Sequence, residues 1–272
     1  TIKKENKKVQ EIVSEKKIDG VISDNRFGFF SKKVPSVFIT HQLDIRTPVF
    51  KNIINKMNEN YMEKFTECWI PDDEGENNLS GSLSYIKEKS ENYKFIGPLT
   101  RFERVSPTNF SKNEDFILVL ISGPENQRTI FEEKILKLAP FLQHKVIISG
   151  GKPCMNNNDI RERQNVEYYA HLEPNEMGKL ISNAKMIVAR SGYSTIMDLA
   201  WFGKSAILVP TPGQSEQEYL AQYHHKKKNH VYCVQDELNS EILNEKLENK
   251  GILKQRKFEQ RNRILEKFLN KC

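Results

Sequence analysis

One stretch constrains this chain more than any other. Met186-Ile187-Val188-Ala189 runs directly into Arg190-Ser191-Gly192, and Tyr193-Ser194-Thr195-Ile196-Met197-Asp198-Leu199-Ala200 continues with helical periodicity. Apolar, partly β-branched residues that stop at a small-residue turn and resume as a helix imply a buried strand, a tight turn and a helix N-terminus. Gly192 lets backbone come close to a ligand, and Ser194 or Thr195 is the expected helix cap. Unpaired N–H groups and the positive end of the helix dipole suit such a turn to an anion. Asp198 follows about one turn into the helix, where a carboxylate can reach a sugar hydroxyl. Taken alone, a junction of this kind is more often purely structural, so the rest of the chain decides.

The same alternation recurs on both sides of it. In the first half, apolar runs at 18–24, 36–40, 68–73 and 93–98 read as short strands, with charged amphipathic helices at 2–17 and 52–65. Several of these strands end on polar side chains, as Ser36–Thr40 does at His41-Gln42, which is how open α/β sheets furnish a crevice. Residues 99–114 are polar and aperiodic, with Pro107, and mark a boundary between domains at 1–103 and 104–272. In the second half, strands are expected at 116–121, 146–151, 166–172, 186–189, 206–210 and 231–234. Helices are expected at 130–138, 174–183, 216–228 and, as a basic amphipathic segment, 252–269. Phe116 to Ile121 is almost continuously apolar, typical of a parallel strand covered on both faces. The fold class that follows is α/β, with two parallel-sheet domains and a cleft between them as the default ligand site.

Composition narrows the function. The 272 residues are 38% apolar and 10% aromatic, enough for two cores. No apolar run approaches the ~20 residues of a membrane-spanning helix. Cys68, Cys154, Cys233 and Cys272 form no Cys-x-x-Cys pair, which argues against a zinc site or a secreted disulfide framework and for a reducing cytoplasm. The net charge of +6 sits largely in Lys226-Lys227-Lys228 and in 254–271. No basic stripe interleaved with aromatics accompanies it, so no nucleic-acid partner is expected. A solvated helix face explains these cations, and peripheral contact with an anionic membrane at its inner face is the alternative. No metal-binding spacing and no Ser-His-Asp or Cys-His arrangement is present, so neither a metal nor a cofactor is expected.

Three loops in the second half follow the C-terminal ends of expected parallel strands and therefore share one sheet edge. They are Ser122-Gly123 through Arg128, Gly150-Gly151, and Arg190 through Thr195. Two arginines and two helix N-termini at one crevice suit a diphosphate, which needs neutralisation and several donors. The plain structural alternative has Arg190 paired with a carboxylate and Arg128 exposed to solvent. A further loop, Thr211 to Tyr219, brings Glu216 and Gln217 to a helix start, where paired amide and carboxylate groups can grip sugar hydroxyls. Ser215-x-x-Glu218 there also reads as a capping box. His41 is the candidate general base, with a structural role as its alternative.

Laid out together, Arg190 to Ala200, Gly203-Lys204-Ser205-Ala206-Ile207-Leu208-Val209-Pro210, and Glu216-Gln217 ahead of Tyr219-Leu220-Ala221 resemble the C-terminal domain of GT-B glycosyltransferases of family 28. The resemblance spans roughly 116–238. It implies two Rossmann-like domains facing a cleft, with the donor nucleotide-sugar held by the second. By that resemblance Ser191, Gly192, Tyr193, Ser194 and Thr195 bind the donor diphosphate, and Asp198 takes the ribose in place of the family's glutamate. Glu216 and Gln217 contact the donor sugar, Leu172 lies near the base, and Ser122 and Gly123 lie near the phosphates. The family's Asn-Ala is Leu220-Ala221 here, which removes some polar support for the sugar. The first half matches more loosely. It lacks the initial strand and Gly-rich loop of the acceptor-side domain, so the chain, opening at Thr1, is expected to be truncated there.

The resulting expectation is an inverting, metal-independent transfer from a UDP-sugar to an unknown sugar or lipid-linked acceptor. Its rivals are a nucleotide-sugar epimerase or hydrolase on the same scaffold, and a non-catalytic donor-binding subunit that needs a membrane partner.

Overall fold

The computed structural model describes residues 1–47, 49–85, 91–105, 114–152, 161–163, 165–246 and 261–272. The chain divides into two compact units, one of Thr1–Leu99 with Phe258–Cys272 and one of Thr100–Lys257.

Among the described residues the first unit contains α1 (Ile2–Glu15), β1 (Val21–Asp24), β2 (Ser36–Ile39), α2 (Lys51–Met62), β3 (Glu67–Ile70) and β4 (Tyr93–Phe95). Its strands form one parallel sheet in the order β1-β2-β3-β4. Val37, Phe38, Cys68, Trp69 and Ile70 of β2 and β3 are all buried, which is the burial on both faces that central parallel strands require. Asp72, fully buried beyond β3, accepts hydrogen bonds from the N–H groups of Asp73, Leu79 and Ser80 and from the Ser80 hydroxyl, and so folds residues 72–84 into an ordered loop.

The second unit contains β5 (Glu114–Leu120), α3 (Gln127–Leu138), β6 (Lys145–Ser149), β7 (Arg161–Arg163), β8 (Val166–Tyr169), α4 (Pro174–Asn183) and β9 (Ala184–Ala189). It continues with α5 (Tyr193–Phe202), β10 (Ile207–Leu208), α6 (Ser215–Lys226), β11 (Val231–Tyr232) and α7 (Ser240–Lys246). The sheet order is β11-β10-β9-β5-β6-β8-β7, with every pairing parallel except β7 with β8. Setting aside the antiparallel edge strand β7, this is the doubly wound order whose connections reverse between β5 and β9. Phe116, Ile117, Leu118 and Val119 of β5 are at most 3% exposed, and Phe131 and Ile135 of α3 complete the core beside them. At the end of α5, Gly203 adopts φ +62°, and the N–H groups of Gly203 and Lys204 return to Ala200 and Leu199. That left-handed close stops the helix and sends the chain into β10.

The parallel α/β units match the sequence expectation, but the division of the chain does not. The closing helix α8 (Arg261–Leu269) belongs to the first unit rather than to 104–272. Phe268, 2% exposed, packs with Val37, Trp69 and Ile96, because an amphipathic helix must bury its apolar stripe against some sheet. The expected span 252–260 ahead of it lies outside the described residues. Two elements had no sequence signal: β7 is all charged, and α7 is short.

Candidate functional site

The loops that follow β5, β9 and β10 leave the same edge of the sheet, at the point where strand order reverses. Each leads into a helix, so the N-termini of α3, α5 and α6 gather there. Among the described residues, none of these helix starts carries a side-chain cap: Asn126, Gly192 and Gln214 occupy the cap positions without a capping hydrogen bond. Two sequence expectations are corrected here. Ser194 and Thr195 lie inside the first turn of α5 rather than capping it. Likewise Ser215 begins α6 rather than preceding it, and Glu218 reaches back to the N–H of Gly213 (3.2 Å) instead of closing a capping box. Helix starts left this way present N–H groups and dipole charge to whatever occupies the edge.

Arg190 holds the edge together from within. The sequence placed it facing a crevice; the structure buries it completely, at 0% exposure. Its guanidinium lies 4.0 Å over the Phe131 ring and donates to the carbonyls of Val209, Pro210 and Gln127 and to Oε1 of Gln235. Residue 190 directly follows the central strand β9, where carbonyls of adjoining segments need donors, and the planar five-donor fork supplies them. Burial lowers its pKa to about 10. Among the described residues no carboxylate forms an ion pair with it, so the expected structural alternative of a carboxylate partner is not realised either.

Arg128 is placed differently. It pairs with Glu125 and donates to the Gly151 carbonyl at 2.7 Å, with its side chain 19% exposed. It thereby joins the loop after β5 to the glycine turn after β6. That turn is tight: a Cβ on Gly151, which has φ +62°, would stand 2.6 Å from the Ile121 carbonyl oxygen, and one on Gly150 would strike the Tyr168 hydroxyl.

The remaining expected residues fall around this frame. Ser122 and Gly123 are exposed after β5. Ser191 is buried, its hydroxyl donating to the Gln217 carbonyl (2.8 Å) and so tying the β9 turn to α6. Tyr193 is buried, Thr195 and Gly192 are half-buried, and Ser194 is exposed. Gln217 accepts the Thr211 N–H at 2.9 Å and donates to Gln214 at 2.5 Å, while Glu216 is half-buried beside it. Leu172 is buried after β8. Asp198 is held by the segment that opens this unit: its carboxylate accepts from the Thr100 hydroxyl (2.7 Å) and lies 3.5 Å from Arg101 Nε. Burial pushes its pKa up to about 6, against the opposing pull of Thr100 and Arg101. His41 belongs to the first unit, half-buried just past β2.

Sequence reasoning missed Gln235 and Gln127 as partners of Arg190. Their only signal was a polar side chain close behind a strand end. Among the described residues no group of three His, Cys, Asp or Glu side chains converges, and no helix is long and apolar enough to cross a membrane.

The UDP-N-acetylglucosamine--N-acetylmuramyl-(pentapeptide) pyrophosphoryl-undecaprenol N-acetylglucosamine transferase of Alkaliphilus oremlandii is 23% identical over 237 residues, which is 79% of this chain and 61% of that protein. The enzyme of the same name from Buchnera aphidicola is 24% identical over 202 residues, 70% of this chain and 50% of the relative. The chain thus spans less than two thirds of the length of either. Among solved structures, MurG of Acinetobacter baumannii superposes with TM-score 0.58 at 13% identity, covering 99% of this chain and 78% of that one. The UDP-GlcNAc 2-epimerase of Methanocaldococcus jannaschii gives TM-score 0.54 at 13% identity, with 99% and 82% coverage. These likenesses show the GT-B type of α/β fold. The model of the glycosyltransferase family 28 C-terminal domain matches residues 118–270, more than half of the chain, and the chain belongs to that family.

Proposed function

We propose that the chain is a glycosyltransferase that moves a sugar from a nucleotide-diphosphate donor, a UDP-sugar, to an acceptor hydroxyl with inversion and without a metal. The observation that carries this reading is the gathering of three helix N-termini without side-chain caps where the strand order of the second sheet reverses. A donor diphosphate set there gains N–H donors and dipole charge as negative charge develops on the leaving group. Ser194, Thr195 and Ser122 supply hydroxyls, and Arg128 a nearby cation. The carboxylate of Asp198 takes the ribose, and Glu216 with Gln217 takes the sugar. The acceptor hydroxyl attacks the anomeric carbon, its proton passes to a base for which His41 is the candidate, and the nucleoside diphosphate departs. The relatives' names point to N-acetylglucosamine as the first sugar to try and to an undecaprenol-linked acceptor.

Calorimetric titration with UDP, GDP and their sugars tests the donor. Binding of UDP with weaker binding of GDP is expected, and binding of no nucleotide at all sinks the reading. Likeness to a UDP-GlcNAc 2-epimerase keeps one competing reaction in view. Incubation of UDP-N-acetylglucosamine without acceptor separates the two: an epimer or free sugar released at a steady rate would exclude transfer as the main activity. Turnover that survives a chelator is expected for the metal-independent route.

A further inference from the structure

Thr211 stands just past β10, and its backbone is fully committed. Its N–H donates to Gln217 Oε1 (2.9 Å), its carbonyl accepts from the N–H of Gln214 (3.1 Å), and the two carbonyls before it are held by Arg190. The side chain is 1% exposed, yet among the described residues its hydroxyl has no hydrogen-bond partner. A buried hydroxyl without a partner is destabilising, and valine has the same shape without that cost.

What lies beside the hydroxyl gives it a use. Gly123, in the loop after β5, has φ +108° and therefore favours the absence of a side chain. Apart from its chain neighbours Ser122 and Pro124, a Cβ built there would have one heavy atom within 4 Å, Thr211 Oγ1 at 3.9 Å. The space beside Gly123 is otherwise open and is bordered by the unpaired hydroxyl. Close behind it, the buried Arg190 has no carboxylate partner among the described residues, which favours an anion at this edge.

We propose that Thr211 is a ligand-contacting residue whose hydroxyl donates to a phosphate oxygen of a nucleoside diphosphate sugar lodged in the space beside Gly123. The inference rests on the donor site proposed above and adds a residue to it. It makes the hydroxyl a group that costs stability in the free protein and returns it on binding.

Thr211→Val tests this through two readouts of opposite sign. The free variant is expected to melt at the same temperature as the parent or higher, while its affinity for UDP falls about tenfold and its affinity for uridine stays within about twofold. Thr211→Ser, which keeps the hydroxyl, is expected to hold UDP within about threefold of the parent. Unchanged UDP affinity in Thr211→Val overturns the contact. An equal loss for uridine, a loss confined to UDP-sugars and absent for UDP, or an equal loss in Thr211→Ser does the same. Should Thr211→Val not fold, Thr211→Ala carries the same UDP and uridine comparison. A parent protein that binds neither UDP nor uridine overturns the donor reading itself. A parent that binds UDP beside a variant that binds it equally well removes only Thr211.

Discussion

The Thr100 hydroxyl donates to the Asp198 carboxylate at 2.7 Å, and through it the first residue of the second unit is fastened to helix α5. The same hydroxyl accepts the N–H of Phe102 at 3.2 Å, and Trp201 on α5 donates to the Val105 carbonyl at 3.3 Å. Residues 100–105 are thus laced along the helix whose N-terminus carries the Ser191–Thr195 turn. Asp198 serves this structural attachment whether or not it also meets a ribose, and its environment makes the two roles separable.

Burial pushes the Asp198 carboxyl up to about 6 from an ordinary 3.8. A raised folded-state pKa means that the folded protein holds this proton more tightly than the unfolded chain. Its contribution is therefore fully present below pH 4 and lost as pH rises through 6. Asp198→Asn, which keeps an acceptor for Thr100, should leave stability near pH 4 unchanged and raise it at pH 8 by about 2–3 kcal/mol. Urea unfolding of parent and variant at the two pH values reads this directly, and parallel pH curves would refute it.

The ribose role has its own test. Asp198→Ala should weaken UDP binding by about 1–3 kcal/mol, the usual cost of losing a charged hydrogen-bond partner. Thr100→Val removes only the structural partner and should leave UDP affinity within a few-fold of the parent. Equal losses in the two variants would assign Asp198 to the Thr100 attachment alone.

Arg190 anchors four acceptors on segments far apart in sequence. Arg190→Met keeps much of the apolar contact with Phe131 but orphans the carbonyls of Val209, Pro210 and Gln127. A loss of about 2–4 kcal/mol in unfolding free energy is expected. Arg190→Lys retains a cation without the planar fork and should fall between parent and Met variant. Guanidinium unfolding measures both, and a Met variant within experimental error of the parent would show that the network carries no stability.

Much of the second unit was legible because β5 and β9 are near-continuous apolar runs, which is how a buried parallel strand shows itself in a sequence. The donor edge was legible as loops, not as side-chain directions. Arg190 illustrates the limit: a sequence locates an arginine after a strand but not whether it turns toward solvent or back over Phe131. The capping box at Ser215 failed for a related reason, since Gly213 at φ +78° lets the chain tighten earlier and moves the helix start onto Ser215 itself. The apolar stripe of α8 is plain in the sequence, but the sheet residues that take it, from Val37 to Ile96, lie about 170 to 230 residues earlier in the chain, beyond the reach of any local pattern.

His230 gives a second pH effect of opposite sense. It is 4% exposed, its Nδ1 accepts the N–H of Ala206 at 3.1 Å, and its ring lies 5.1 Å from that of His224. Burial first, and the neighbouring His224 second, hold its imidazole well below the ordinary value. The unfolded chain therefore takes up this proton first, and stability falls as pH drops below about 6.5. His230→Asn offers the Ala206 N–H an acceptor without titrating, so its stability should fall less than the parent's between pH 7 and pH 5. Asp198→Asn changes the same curve in the other direction, so the single variants must be compared separately. An acid limb identical to the parent's in His230→Asn would place the titration elsewhere.

Within the first unit, the Phe268 ring meets the Trp69 indole edge-on, with centroids 5.5 Å apart at 81°. The Trp69 Nε1 donates to Glu67 at 2.7 Å, and Lys271 pairs with the same buried carboxylate. The end of the chain is thus both packed and charge-locked onto β3. Phe268→Ala leaves a cavity against Val37, Trp69 and Ile96 and should cost about 3–5 kcal/mol. Lys271→Gln leaves Glu67 with its indole partner and should cost less, about 1–3 kcal/mol. The two tryptophans fall in different units, so Trp69 fluorescence in a Trp201→Phe background reports unfolding of the first unit alone. A Phe268→Ala transition at the parent's denaturant midpoint would mean that α8 merely rests on this sheet; an earlier one shows that the basic C-terminal helix spends its apolar face on the protein's own core.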